Sequence, residues 1–144
     1  MVGEWMVRFD EDCRKRKIRL TAQRRAVFKA LAEDLGHPTV EEIHQRLKKN
    51  WPSLSLPTVY RIAEDLIESG LIRRVASENG PLRLDANMET HQHLVCRICG
   101  EMEDWRDEHW AKVRAPSCLP NGFVPEEYDV RISGLCSACA AKKN

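Results

Sequence analysis

The stretch SLPTVYRIAEDLIESG, residues 55–70, decides the fold of this chain. Ser55 can cap a helix, Pro57 is tolerated in its first turn, and Gly70 can end it. The apolar residues between them fall at helical spacing and predict a buried stripe: Val59, Ile62, Leu66 and Ile67. The opposite face is polar, as expected for a helix with one exposed side.

Two further helices are predicted before this one. Thr21 can cap the first, and Gly36 is available to end it. Thr39 and Glu42 form a capping-box pair at the start of the second, which Asn50-Trp51-Pro52 breaks. Apolar residues at helical spacing support both: Val27, Phe28, Leu31 and Leu35 in the first helix, and Val40, Ile43 and Leu47 in the second.

Two short segments typical of β-strands follow the third helix, at residues 71–75 and 81–85. They flank residues 76–80, whose Asn79-Gly80 pair suits a hairpin turn. Three helices followed by a hairpin is the order of a winged helix-turn-helix domain. In that arrangement the third helix reads DNA.

Several residues are candidates for DNA contact. The outward residues Thr58, Tyr60 and Arg61 lie in the first two turns of the third helix, where a recognition helix meets base edges. Arg19 is expected in a minor groove, and Arg24 and Arg25 nearer to phosphates. Residues 14–25 hold seven Lys and Arg and no acid, although a charge run alone is usually a solvated face. For Glu64 and Asp65 a solvated face and a base contact both stay open.

Composition limits the possible protein classes. The chain has 144 residues, 42% hydrophobic and 6% aromatic, and a net charge of +1. Residues 1–85 hold 16 Lys and Arg against 13 Asp and Glu, whereas residues 86–144 hold 7 against 9. We expect a cytoplasmic protein, because the N-terminus lacks the pattern of a secretory signal and no apolar run approaches a membrane span.

Two cysteine pairs predict a metal site. Cys96 and Cys99, and Cys136 and Cys139, each form a C-x-x-C unit, and four thiolates fill the tetrahedral shell of zinc. We therefore expect structural zinc that pins the C-terminal tail to a small domain. The remaining thiols, Cys13 and Cys118, are interpreted as small buried or incidental residues.

Two histidines remain beside these cysteines. If residues 91–96 form a strand, His91 and His93 face one side and Cys96 the other, so the histidines need other partners. Asp104 follows the first cysteine pair on what reads as a neighbouring strand, and Asp85 ends the hairpin. From spacing alone, a metal site and an ordinary polar surface both stay open for the two histidines.

Four motifs together resemble the ferric uptake regulator (Fur) family, most closely its peroxide-sensing, PerR-like branch. They are RLTAQRRAV (19–27), LGHPTVEEIHQRL (35–47), LPTVYRIAEDLIESGLI (56–72), and HQHLVCRICG (91–100) with CSAC (136–139). The resemblance implies an α+β chain with a winged-helix DNA-binding domain at 1–85, a hinge at 86–90 and a dimerisation and metal-binding domain at 91–144. It also implies a homodimer that binds pseudo-palindromic operators in double-stranded DNA.

The resemblance further implies an open regulatory site for Fe(II) or Mn(II). Its expected ligands are His37, Asp85, His91, His93 and Asp104. In the peroxide-sensing branch, hydrogen peroxide reacts with bound Fe(II) and oxidises a ligating histidine, here His37 or His91, and DNA is released. Aspartate at 104 favours this branch, whereas TVYRIA in the recognition helix is closer to iron-sensing members.

Two alternatives stay open besides peroxide sensing. One is an iron-, manganese- or zinc-responsive repressor of the same fold, and the other is a metalloenzyme that uses the two histidines. The enzyme alternative has no support from an HExxH helix, a nucleophile elbow or a Gly-rich phosphate loop. The family's further metal site is not predicted, because its positions hold Thr90, Gln92 and Ala111 and the segment near Tyr128 has no histidine. His44 and His109 are interpreted as surface or packing residues.

Overall fold

A computed structural model of the chain describes residues 1–75, 80–114, 116–126 and 128–143. The chain divides into two units, Met1–Met88 and Glu89–Asn144. The division lies inside residues 86–90, where the hinge was expected; movement about this segment stays a prediction. None of the helices in the described ranges combines the length and the apolar composition needed to cross a bilayer.

The N-terminal unit has the predicted winged helix-turn-helix order, preceded by one more helix. Its elements are α1 (Val2–Lys15), α2 (Ala22–Ala32), α3 (Val40–Lys48), α4 (Leu56–Glu68), β1 (Arg73–Val75) and β2 (Arg83–Asp85). The two strands pair antiparallel, with Arg73 opposite Asp85. The predicted Asn79-Gly80 turn falls largely outside the described residues, which omit 76–79.

The three predicted helix caps are confirmed. The side chain of Thr21 accepts a hydrogen bond from the Arg24 amide, and Ser55 accepts one from the Thr58 amide. Thr39 and Glu42 form the complete capping box. Between the caps, the apolar stripes pack into one core: Val27, Phe28, Leu31, Val40, Ile43, Leu47, Val59, Ile62 and Leu66 are buried, with Ile67 partly buried against them.

Two features of this unit differ from the sequence-based expectation. Helix α1 was not predicted, because no side chain caps it at Met1 and its apolar residues are scattered among acids. It nevertheless packs onto α2: the rings of Phe9 and Phe28 stack with centroids 4.1 Å apart, and Cys13 is fully buried. The prediction that Leu35 joins the core was wrong, since α2 ends at Ala32 and Leu35 is 58% exposed.

The C-terminal unit is built on a three-stranded sheet. Its strands are β3 (Gln92–Cys96), β4 (Met102–Trp105) and β5 (Arg131–Gly134), and its helices are α5 (Glu108–Ala111) and α6 (Ser137–Ala141), with a 3-10 turn at Pro120–Gly122. The sheet order is β4-β3-β5. Strand β4 lies beside β3, as predicted, and the two pair antiparallel. Strand β3 also pairs parallel with β5, which the sequence did not indicate.

Candidate metal centres and DNA-facing helix

The four cysteines expected to bind zinc lie together in the C-terminal unit. Cys96 ends β3, and parallel pairing places it beside Gly134 of β5, two residues before Cys136. Cys139 lies in α6, which begins directly after Cys136. The four sulfurs all lie within 4.8 Å of one another, and those of Cys99 and Cys136 are 3.7 Å apart.

This cluster fits a tetrahedral zinc ion. Backbone amides of Cys136 and Cys99 donate toward the Cys96 sulfur and lower the pKa of this thiol to about 6. Cys96 is therefore readily deprotonated, whereas the contact with Glu101 raises the pKa of Cys136 to about 12. A metal ion bound to the cluster would itself deprotonate its thiol ligands. Four sulfurs complete the coordination shell of zinc and leave no position for a substrate. Such a closed site stabilises the fold and does not catalyse a reaction.

A second group of candidate ligands surrounds the beginning of β3. His93 lies opposite Asp104 across the β3–β4 pair. The Nε2 atoms of His91 and His93 are 3.0 Å apart. The Oδ1 atom of Asp104 lies 3.1 Å from Nε2 of His91 and 3.6 Å from Nε2 of His93. Three potential ligand atoms therefore converge on one point, and both imidazoles are almost fully buried.

The outer nitrogens of these imidazoles lie next to oxygen atoms. Nδ1 of His91 lies 2.8 Å from the carbonyl oxygen of Glu89, and Nδ1 of His93 lies 3.2 Å from Oδ1 of Asp129. A carbonyl or carboxylate oxygen accepts hydrogen bonds, so a neutral ring can carry its hydrogen on Nδ1 while its Nε2 lone pair binds a metal ion. Two lone pairs and a carboxylate oxygen facing one point are suited to a cation. Nitrogen and oxygen donors without thiolate fit Fe(II) or Mn(II).

The two expected ligands in the N-terminal unit are neighbours. The Leu84 amide donates to the carbonyl of Pro38 at 3.0 Å, and the Arg83 guanidinium donates to the carbonyl of His37, also at 3.0 Å. These bonds join the loop before α3 to strand β2. As a result, Nδ1 of His37 lies 3.8 Å from Oδ1 of Asp85.

The backbone and side-chain contacts of this pair are unusual for a surface loop. His37 has a φ of +56°, in the left-handed region, which costs a residue with a Cβ about 1–2 kcal/mol. Such residues concentrate at functional sites. The Asp85 carboxylate accepts from Nε of Arg73 at 3.0 Å and from the Asn87 amide at 2.7 Å, so its orientation is fixed on both sides.

The structure thus brings together His37 with Asp85 in one unit, and His91 with His93 and Asp104 in the other. That all five bind one ion stays a prediction. The other two histidines lie elsewhere: Nε2 of His44 is 2.8 Å from the carbonyl oxygen of Leu54, and His109 is exposed in α5.

The outward face of α4 carries the residues expected to read bases. Arg61 is exposed, and within the described residues no carboxylate pairs with it. The Tyr60 hydroxyl donates to the carboxylate of Glu41 in α3, and this bond raises the pKa of Tyr60 and lowers that of Glu41. The Thr58 hydroxyl is 2.8 Å from that of Ser55 at the helix cap.

Arg24 and Arg25, expected near phosphates, are engaged in ion pairs inside the N-terminal unit. Nη2 of Arg24 lies 2.6 Å from Oδ2 of Asp65, and its Nη1 donates to the carbonyl of Arg19 at 2.8 Å. Arg25 pairs with Asp10. These bonds link α2 to α4 and to α1, a role that the sequence did not indicate because the acids are distant along the chain. Arg19 has an exposed side chain, and its contact with DNA stays a prediction.

The acids of α4 also have partners. Besides the pair between Asp65 and Arg24, Glu64 pairs with Arg74 of β1. Both acids therefore join α4 to neighbouring elements while their side chains stay partly exposed, and a contact of either with a base stays a prediction.

Three residues of these sites were missed in the sequence. Arg73 contacts Asp85 because the two residues are paired across the hairpin. Counting the strand pairing outward from the predicted turn could have identified Arg73. Glu41 lies one residue after a predicted helix start, on the side that faces α4. Asp129 reaches a histidine of β3 through the parallel β3–β5 pairing, for which the sequence carries no spacing signal.

Comparisons with known proteins agree with this arrangement. The sequence model of the ferric uptake regulator family matches residues 15–133. The peroxide operon regulator of Bacillus subtilis (strain 168) is 28% identical over 134 residues, 93% of this chain and 92% of that protein. The crystal structure of the Campylobacter jejuni peroxide stress regulator is 28% identical with a TM-score of 0.64, over 90% of this chain and 95% of its own. A zinc uptake regulator complexed with zinc and DNA, 24% identical, has a TM-score of 0.72 over 99% and 97% of the two chains and supports the fold.

Proposed function

The chain belongs to the ferric uptake regulator family, and on this basis we propose that it is a metal-dependent DNA-binding repressor that responds to hydrogen peroxide. The observation that carries the proposal is the convergence of His91, His93 and Asp104 on one point without a thiolate. This set favours Fe(II) or Mn(II), whereas the separate four-cysteine cluster favours structural zinc. Similarity to peroxide regulators, at 28% identity, supports the same response.

We propose that His37 and Asp85 of the N-terminal unit complete the regulatory ligand set. An ion that takes ligands from both units fixes their relative orientation, and orientation determines whether a winged helix can dock on DNA. Metal affinity and DNA affinity are then linked, because each favours the same arrangement of the units. The acidic C-terminal unit is proposed to form the homodimer, whose two-fold symmetry matches a pseudo-palindromic operator.

The peroxide response is proposed to depend on the ligating histidines. When bound, Fe(II) supplies the electron that activates hydrogen peroxide, a reactivity that Mn(II) lacks. The contact of its Nδ1 with the Glu89 carbonyl orients the His91 ring toward the site. In the net reaction, hydrogen peroxide gives one oxygen atom to the ring carbon between the nitrogens and its other oxygen leaves as water. The hydrogen of that carbon is replaced by one on nitrogen, so both ring nitrogens are protonated. The oxidised His91 or His37 then has no lone pair to offer, and the ligand set is broken.

Mass spectrometry of the Fe(II)-loaded protein after peroxide treatment tests this proposal. We expect one added oxygen atom in the peptides that contain His37 or His91, and a loss of operator binding that rises with the modified fraction. His44 and His109 serve as internal controls, because neither belongs to the proposed site. The Mn(II)-loaded protein should gain no oxygen and should stay bound to its operator after peroxide treatment.

The same experiment distinguishes the second candidate, a repressor that responds to iron, manganese or zinc without sensing peroxide. The nitrogen and oxygen donor set is compatible with that function as well. Repression with iron that survives peroxide, with no oxygen gained at either histidine, would establish it and refute the peroxide response.

A further inference from the structure

Asp129 lies two residues before β5, at the edge of the group formed by His91, His93 and Asp104. The His93 amide donates to the carbonyl of Val130 at 3.1 Å, which continues the parallel pairing of β3 with β5. This pairing brings Oδ1 of Asp129 to 3.2 Å from Nδ1 of His93. Asp129 is thus on the side of the ring opposite to Asp104, whose Oδ1 is 3.6 Å from Nε2.

We propose that Asp129 is a positioning residue that selects the tautomer of His93, and thereby makes this histidine a metal ligand. The inference rests on the proposed regulatory site and names a residue outside its expected ligand set. With its hydrogen held on Nδ1 by the carboxylate, His93 presents the Nε2 lone pair toward His91 and Asp104. A carboxylate in this position also increases the basicity of the ligating nitrogen.

The two imidazoles differ in how their tautomers are fixed. Nδ1 of His91 is bonded to the backbone carbonyl of Glu89, which is present whatever side chain stands at residue 89. Nδ1 of His93 is bonded to a side chain, so its tautomer can be changed by substitution. A histidine ring without an acceptor at Nδ1 prefers to carry its hydrogen on Nε2, where the hydrogen would block metal ligation.

The partial exposure of Asp129 suits it to orient His93 and allows it to be substituted. The His93 side chain is 1% exposed, whereas that of Asp129 is 45% exposed. The carboxylate therefore keeps much of its hydration while it orients a buried ring. Because Asp129 is a partly exposed residue outside the apolar core, its replacement by alanine should leave the fold intact.

The experiment compares wild type with Asp129→Ala, Asp129→Asn and the control Glu103→Ala. Glu103 is an exposed acid of β4 beside Asp104, so its removal changes the charge of the same sheet without removing a histidine partner. The sample keeps zinc at the four cysteines but has no metal ion at the regulatory site. Two-bond nitrogen–proton correlation spectra, recorded at a pH at which the imidazoles are neutral, report the tautomer of each histidine. Mn(II) titration of the same samples reports affinity.

We expect His93 of the wild type to carry its hydrogen on Nδ1, and that of Asp129→Ala to carry it on Nε2, with His91 unchanged in both. Mn(II) affinity of Asp129→Ala should fall about 10–100-fold, the range for residues that orient metal ligands. Asp129→Asn keeps an acceptor oxygen, so it should retain the wild-type tautomer with a smaller loss of affinity. Glu103→Ala should match the wild type in both measurements.

An unchanged His93 tautomer or an unchanged Mn(II) affinity in Asp129→Ala would overturn the positioning role. Failure of the proposed function gives a different result: the wild type itself would show no Mn(II) binding at these histidines, or no oxygen gain with iron and peroxide. The tautomer measurement stands in either case, because it is made without the regulatory metal.

Discussion

Replacing Cys96 by serine should unfold the C-terminal unit while the N-terminal unit stays folded. In the part of the unit that the structure describes, the buried apolar side chains are Val95, Cys96 and Met102. Burial of the two that are not cysteines contributes about 3–6 kcal/mol at about 1.5–3 kcal/mol each. Ordering the backbone costs about 1–2 kcal/mol per residue, so this core is too small to hold the unit alone. A structural zinc site contributes about 10–16 kcal/mol, and the loss of one thiolate removes much of it.

Hydrogen exchange measured by mass spectrometry provides an assay with an internal reference. In Cys96→Ser we expect the amides of residues 92–96 to lose protection, while those of α4 in the other unit stay protected. Zinc content should fall from one equivalent per chain in the same samples. Cys118→Ser is the matched control, since Cys118 is exposed and lies outside the cluster. If the β3 amides of Cys96→Ser stayed protected and the variant formed a stable dimer, the proposed structural role of the zinc site would be wrong.

The remaining predictions concern DNA binding, stability and peroxide chemistry. Arg61→Ala should weaken operator binding by about 1–3 kcal/mol and relax sequence choice; equal losses on operator and random DNA in a titration would instead indicate a phosphate contact. Arg24→Ala should lower affinity on all sequences and also lower the free energy of unfolding by about 0.2–1 kcal/mol, because it removes a partly buried pair with Asp65; unchanged thermal unfolding would show that the pair is neutral. Asp104→Glu should still repress but lose operator more slowly on peroxide addition, because a longer carboxylate arm alters the iron geometry; a wild-type rate in a gel-shift time course would contradict this.

The parts of the fold that could be predicted are those determined by residues close together in sequence. Thr39 and Glu42 are three residues apart, and the capping box they form needs no other part of the chain. The C-x-x-C spacing indicates a metal site for the same reason. Helix α1 was missed because its stability comes from packing, chiefly the stack of Phe9 on Phe28, rather than from a cap.

The parts that could not be predicted depend on distant residues. The partners of Arg24 and Arg25 are 41 and 15 residues away, so a local charge run could not distinguish a phosphate contact from an internal ion pair. Asp129 reaches His93 across 36 residues through a parallel strand pairing. Sequence spacing gave candidate ligands for the sites, whereas the residues that orient them appear only once the strands are paired.

Cys13 is a fully buried residue of α1, so this thiol reports how often the N-terminal helix opens. Because the Cys13 side chain is fully buried, a thiol reagent can reach it only when α1 opens, and burial also raises the pKa of this thiol. Cys118 is exposed and should react at once, and the four clustered cysteines should react only as zinc departs. One labelling time course on the unmodified chain would then contain three phases. The ratio of the Cys13 rate to the rate of the exposed Cys118 gives the free energy of helix opening, without any substitution or attached probe.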